Sequence, residues 1–126
     1  MDACDAIIAN ITPIRGIVAD PGTAFELGYM CARGKLVYAY SNVGADYYAR
    51  LSAYYGGDIS ETGDGRERGP DGLSLEDFDM ADNLMLDGGV ERRGGVVIRR
   101  DVPESERYTD TAAFEDCLKL LAGRQS

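Results

Sequence analysis

Apolar and polar positions sort the first third of the chain into three elements. "CDAIIANI", Cys4 to Ile11, is a short apolar run ended by the turn signal "TPIRG", and it reads as a buried strand. Asp20 then suits a helix N-cap, Pro21 the first helical position and Gly34 the C-terminal stop, so the pattern predicts a helix over 21–33. "KLVYAY", Lys35 to Tyr40, is the next strand. Strand, helix and strand with short connections form a βαβ unit, which implies a parallel sheet with a right-handed crossover.

Beyond Ser41 the pattern loosens. "ADYYARLSAYY", 45–55, predicts a tyrosine-rich helix, and the glycine-rich, charged stretch 56–72 reads as a mobile loop. "LEDFDMADNLML", 75–86, reads as helical, and "GGVVIRR", 94–100, as an edge or late strand. "DTAAFEDCLKLLAG", 110–123, predicts an amphipathic terminal helix that buries Ala113, Phe114, Cys117, Leu118 and Leu121. No internal repeat is visible.

At 126 residues the chain is one small domain, long enough to bury about two-thirds of its unfolded surface. No apolar run approaches the roughly 20 residues of a membrane span. The first residues lack the basic-then-apolar order of a signal peptide, so a cytoplasmic location is expected. Thirteen Lys and Arg against 22 Asp and Glu give a net charge of -9, which repels phosphate backbones and anionic lipid. Neither nucleic acid nor a membrane is an expected partner. Cys4, Cys31 and Cys117 are odd in number and form no CxxC pair, so buried thiols are expected rather than a disulfide framework or a zinc site.

The chain has no histidine. That removes Ser-His and Cys-His dyads and His-ligated metals, leaving Asp, Glu, Tyr, Lys or an unassisted Cys as acid, base or nucleophile. Within the first helix Glu26 stands out as the only charged residue from Pro21 to Ala32. Its neighbours one turn away, Gly22, Thr23, Tyr29 and Met30, offer no cation. Two readings follow: a glutamate on a solvent stripe, or a carboxylate lining a cleft at the carboxyl edge of the parallel sheet, where open α/β sheets bind ligands.

The stretch "DAIIANITPIRGIVADPGTAFELGYMCARGKLVYAY" resembles the nucleoside 2-deoxyribosyltransferase family. That family's pattern is a strand ending in Asn or a similar residue, a Pro-Arg-Gly turn, then Asp-x-Gly-Thr-x-x-Glu-x-Gly-Tyr on a helix. "DNLMLDGGV", Asp82 to Val90, resembles its later Asn-Leu-Met signature. The resemblance implies an α/β fold, a three-layer Rossmann-like or flavodoxin-like domain with a parallel sheet. It also implies transfer of 2-deoxyribose between nucleobases of 2′-deoxynucleosides without a metal or organic cofactor, by a homo-oligomer.

Residue by residue, the resemblance makes Glu26 the nucleophile that attacks C1′ to form a covalent deoxyribosyl-enzyme, the logic of retaining glycosidases. It places Asp20 on the sugar hydroxyls, beside the N-cap role that Asp20 has in its own right. Related deoxynucleotide hydrolases carry a serine there to receive a 5′-phosphate. A carboxylate would repel that phosphate, so Asp20 favours nucleosides. Asn83 matches the Asn that a neighbouring subunit lends to the sugar's 5′-hydroxyl; its other reading is a helix residue or cap. Gly22 and Thr23 would give backbone room, Asn10 has the location for substrate contact, and Met85 is a further candidate contact, although Met is more often core. Family members carry a strand, a glycine-containing loop and helices before the position equivalent to Asp5, with the residues that hold the nucleobase. A truncated amino-terminal region is therefore expected. The alternatives are a deoxynucleoside 5′-monophosphate N-glycosidase and a non-catalytic nucleoside-binding remnant.

Overall fold

The computed structural model describes residues 1–125. β1 (Ala6–Asn10), α1 (Pro21–Ala32) and β2 (Leu36–Ser41) form the βαβ unit expected from the sequence. α2 (Tyr47–Tyr54) follows, then two short strands, β3 (Ser60–Glu61) and β4 (Glu67–Arg68). α3 (Leu84–Arg92), β5 (Val97–Arg99), a 3-10 turn (Glu104–Glu106) and α4 (Ala112–Gln125) complete the chain. The main sheet runs β1-β2-β5 with both pairings parallel; Ile7 faces Val37 and Ala39 faces Val97 in register.

Helices cover both faces, which is why central β2 reads as a continuous apolar run. α1 and α3 pack together on one face, while α4 crosses all three strands on the other and, among the described residues, touches neither helix. Leu27 and Met30 of α1, Val37 and Ala39 of β2 and Leu86 and Val90 of α3 form the core of the first face. On the second face the Tyr40 ring meets Phe114 edge-on at 6.1 Å, and Ala113 and Cys117 are buried. The result is a three-layer α/β domain with a parallel sheet. Entry to β5 needs glycine, because a Cβ on Gly95 would stand 1.8 Å from the carbonyl oxygen of Val37. Among the described residues no helix is long and apolar enough to cross a membrane.

Three elements differ from the sequence reading. The helix expected over 75–86 does not form; α3 starts at Leu84, after Asn83, and Asp79 has a left-handed φ of 52°. Asp82 and Asp87 turn inward and take up the backbone N–H groups of Ala81, Asp82 and Asn83, which a continuous helix would use itself, and Asp82 also accepts from distant Ala19. Within 56–72 the chain makes a small antiparallel ladder, Ser60 opposite Arg68 and Glu61 opposite Glu67. Its turn is tied by Thr62 and Arg66, both donating to Asp64, and Gly69 lies against the Tyr55 ring. α4 runs past Gly123, and the narrow sheet covers only the strip carrying Ala113 and Cys117, leaving Leu118 42% exposed. The cysteines also differ. Cys117 is buried, and burial pushes its thiol up to about 11, but Cys31 is half-buried and Cys4 is exposed, since β1 begins only at Ala6.

Candidate functional site

The site is built on the start of α1, which β1 and the crossover place at the carboxyl end of the sheet. Asp20 caps the helix, its Oδ2 accepting from the backbone N–H of Thr23 at 3.0 Å. Its Oδ1 has no hydrogen-bond partner among the described residues. Gly22 gives this carboxylate room: a Cβ there would stand 2.9 Å from Asp20 Oδ2. Gly22 and Thr23 lie one turn before Glu26 and on the same face of α1.

Glu26 is exposed and makes no hydrogen bond or ion pair among the described residues. It lines a cavity of about 160 Å³ with Met1, Cys4, Ala6, Ile7 and Met30. Met30, Ala6 and Ile7 make one side of that cavity apolar. Because Ala6 and Ile7 open β1, Glu26 stands beside the amino half of the edge strand rather than at the carboxyl edge, which is one of the two readings the sequence leaves open. Six residues of helix separate it from Asp20, roughly 9 Å of rise.

Asn83 caps α3, its Oδ1 accepting from the N–H groups of Met85 at 3.0 Å and Leu86 at 3.3 Å. Its Nδ2 has no partner among the described residues. Met85 is 81% exposed and Leu84 41% exposed, so Met85 is a surface side chain and not core. Asn10, at the end of β1, is exposed; its Oδ1 accepts from Thr12 N at 3.1 Å and shapes the turn that leaves the strand. A larger cavity of about 470 Å³ lies between the β3–β4 ladder and the start of α3, lined by Arg66, Glu67, Glu76, Asp77, Phe78 and Leu84 among others, and holds none of the candidates named from sequence. Among the described residues no group of three or more acidic or cysteine side chains is placed to hold a metal ion.

Sequence reasoning missed the buried network that holds the start of α3. Asp82 Oδ2 accepts from Ala19 N at 2.9 Å, and its Oδ1 accepts from Asn83 N at 2.8 Å. Asp87 accepts from Ala81 N at 2.8 Å and Asp82 N at 2.9 Å. Arg50, from α2, approaches Asp82 Oδ2 at 3.6 Å while Nε donates to the Ile17 carbonyl and Nη1 to that of Ala45. Burial raises the Asp82 carboxyl above the usual range, opposed by the two N–H groups and by Arg50. Burial likewise raises Asp87 and lowers Arg50. The available signal was two aspartates, Asp82 and Asp87, bracketing the apolar "LML".

The comparisons with known proteins fall on these residues. The family model for nucleoside 2-deoxyribosyltransferase matches residues 1–85, a span that holds every site candidate named above from Asn10 to Met85. An uncharacterised protein of Schizosaccharomyces pombe is 32% identical over 133 aligned residues, an alignment covering 98% of this chain and 60% of that relative. This chain thus spans 60% of the length of the curated relative it matches. Among solved structures, a 2-desoxiribosyltransferase from Leishmania mexicana is 40% identical with a TM-score of 0.49, covering 67% of this chain and 47% of that one. On the extent of the family match, the chain belongs to the nucleoside 2-deoxyribosyltransferase family.

Proposed function

We propose that the protein transfers 2-deoxyribose between nucleobases of 2′-deoxynucleosides through a covalent glycosyl-enzyme on Glu26. The observation that carries this reading is Glu26 itself: an exposed carboxylate without a partner among the described residues, at a partly apolar cavity, within the family-matched segment. A Glu26 oxygen forms a bond to C1′ as the C1′–N bond breaks, and the bonding pair leaves on the nucleobase nitrogen, which takes up a proton. A second base then attacks C1′ through its nitrogen, loses its proton, and frees the carboxylate. The negative charge of Glu26 stabilises the oxocarbenium-like transition state in both steps. No cofactor is required by this sequence of steps.

Asp20 serves as cap and substrate contact together, since Oδ2 holds Thr23 N and Oδ1 is left to accept from a sugar hydroxyl. A 5′-phosphate beside that carboxylate is disfavoured, so the substrate is the nucleoside. Thr23 and Gly22 border Glu26 on the same helix face, and Asn10 marks the carboxyl end of β1. Asn83 offers its free Nδ2 to the 5′-hydroxyl of a site on a second copy of the chain. Beside it, exposed Met85 and Leu84 provide apolar surface for that copy to cover. Nucleoside salvage in the cytoplasm is the matching setting.

The test is to incubate the protein with a panel of 2′-deoxynucleosides and isotope-labelled free bases, following base exchange and, by mass spectrometry, the peptide containing Glu26. Exchange with a deoxyribosyl adduct on that peptide is expected; absence of both across the panel rejects the reading. Mixing Glu26→Ala and Asn83→Ala proteins after mild dissociation should restore part of the activity, because a mixed dimer assembles one site with both native residues. Mixed oligomers that remain inactive would return Asn83 to its own chain or remove it from the site.

A further inference from the structure

We propose that Asp82 is a positioning residue that fixes the start of α1 and Asn83 relative to each other. This deepens the function proposed above and rests on it for its kinetic consequence. Asp82 is 1% exposed; one oxygen reaches a segment 63 residues away in sequence while the other holds the residue that follows it. Oδ2 accepts from the N–H of Ala19, the residue before Asp20, and Oδ1 accepts from the N–H of Asn83. One planar carboxylate therefore sets the distance between the backbone that carries the Asp20 cap and the backbone that carries the Asn83 side chain.

The anchor is held from three further directions. Asp87 accepts from the N–H of Asp82 itself and from that of Ala81, so the residue bearing the carboxylate cannot rotate away without losing two hydrogen bonds. Glu76 Oε2 accepts from Leu84 N at 2.7 Å, just beyond Asn83. Arg50 closes the remaining side of Asp82 Oδ2 and, through the Ile17 carbonyl, grips the same loop that leads to Asp20. Asp82 itself is too enclosed to touch substrate. With Asn83 turned to a second copy, the same carboxylate links the sugar end of a chain's own site to the site it completes next door. A misplacement of about 1 Å in such contacts costs on the order of 100-fold in kcat/KM.

The experiment compares wild type with Asp82→Asn and with the double variant Asp82→Asn/Arg50→Leu, in which no buried cation is left without a counter-charge should the single variant fold poorly. The two N–H groups are held by different oxygens, and an amide puts an NH2 donor in place of one of them, so the variant faces either Ala19 or Asn83 with a donor and loses that bond. Hydrogen exchange read per residue should show faster exchange at Ala19 or at Asn83 in the folded variant, together with Asp20 and Met85 nearby. The kcat/KM for a deoxynucleoside should fall about 100-fold. Most of that fall should lie in KM, because sugar contacts are displaced while Glu26 is untouched. Unchanged exchange at both amides, or altered exchange with kcat/KM unchanged, overturns the proposal, and so does a loss confined to kcat. A wild type without base exchange on any deoxynucleoside would reject the enzymatic reading, while hydrogen exchange would still decide whether Asp82 ties the two segments.

Discussion

The carboxylates along α1 and those beneath the start of α3 are the same chemical groups in opposite conditions. Glu26 stands in solvent with no partner among the described residues, and Asp20 uses one oxygen on its cap and keeps the other. Asp82 and Asp87 are 1% and 3% exposed, and each accepts from two backbone N–H groups. A buried carboxylate, each oxygen already on a backbone donor and neither open to solvent, cannot be reached by a substrate, and removing it strands donors at about 1–3 kcal/mol each. An exposed acceptor with spare capacity contributes little to the fold and is free for chemistry. The difference separates residues expected to change turnover from residues expected to change stability.

The largest effect should come from Glu26→Ala. Loss of the nucleophile is expected to reduce base exchange by about a thousandfold or more, a scale typical of removed nucleophiles. Because the side chain has no partner among the described residues, the unfolding free energy should stay within about 0.5 kcal/mol of wild type. Steady-state exchange rates and urea unfolding measured on the same preparation check both halves. A variant that loses stability in step with activity would place Glu26 in the scaffold class.

Asp87→Ala should behave in the opposite way. It leaves the N–H groups of Ala81 and Asp82 without their acceptor in a buried setting, and a loss of about 2–4 kcal/mol is expected in urea unfolding. Under conditions where the variant is folded, the covalent step at Glu26 should persist, visible as the adduct. A stability change below about 0.5 kcal/mol would contradict the cost assigned to the stranded donors.

The same division explains what the sequence makes legible. The βαβ unit is marked by local signals: apolar runs for β1 and β2, Asp20 and Pro21 opening α1, and Gly34, with a left-handed φ of 71°, closing it. Asp20 and Glu26 stand out because their surroundings on one helix suffice to define them. The start of α3 escapes, because Ala19 and Asp82 are 63 residues apart and no periodicity encodes that bond. "LEDFDMADNLML" carries enough apolar residues to imitate a helix, and only the inward turn of Asp82 and Asp87 decides against it. The β3–β4 ladder escapes for another reason: it is polar on both faces and shaped by hydrogen bonds within its own turn, so no hydrophobic alternation announces it.

Asp20 lies between the two classes, and a smaller, selective effect is expected there. Asp20→Ser keeps a good N-cap, so stability should change little. The variant removes the negative charge proposed to face the 5′ position, and turnover of a deoxynucleoside relative to its 5′-monophosphate should shift toward the monophosphate by about tenfold, equivalent to about 1.4 kcal/mol. An unchanged ratio would leave Asp20 a cap alone.

The smallest expected effect is a slope in stability against pH, and it tests whether burial governs the Asp87 carboxyl. Desolvation is the largest influence on it and raises it above its ordinary 3.8; the charge of Asp82 adds to the rise, and the N–H groups of Ala81 and Asp82 and the Arg99 charge oppose it. A carboxyl raised in the folded state binds its proton more tightly there than in the unfolded chain. Its contribution to stability is therefore complete below 3.8 and is lost as pH rises through the folded-state value. Other carboxylates, such as half-buried Asp116 and exposed Asp71, held below the usual range by the Arg100 and Tyr55 hydrogen bonds respectively, act with the opposite sign. They are common to wild type and Asp87→Asn and cancel in the difference; the repulsion between Asp82 and Asp87, present only in the wild type, is relieved on protonation and acts in the same direction as burial. Urea unfolding of the two proteins at about pH 7 and about pH 4 should show the wild type gaining on Asp87→Asn as the pH falls. A wild type that instead loses ground to Asp87→Asn on acidification would mean that the hydrogen bonds, rather than burial, dominate the Asp87 carboxyl, and would move it toward the class of groups that the fold stabilises as anions.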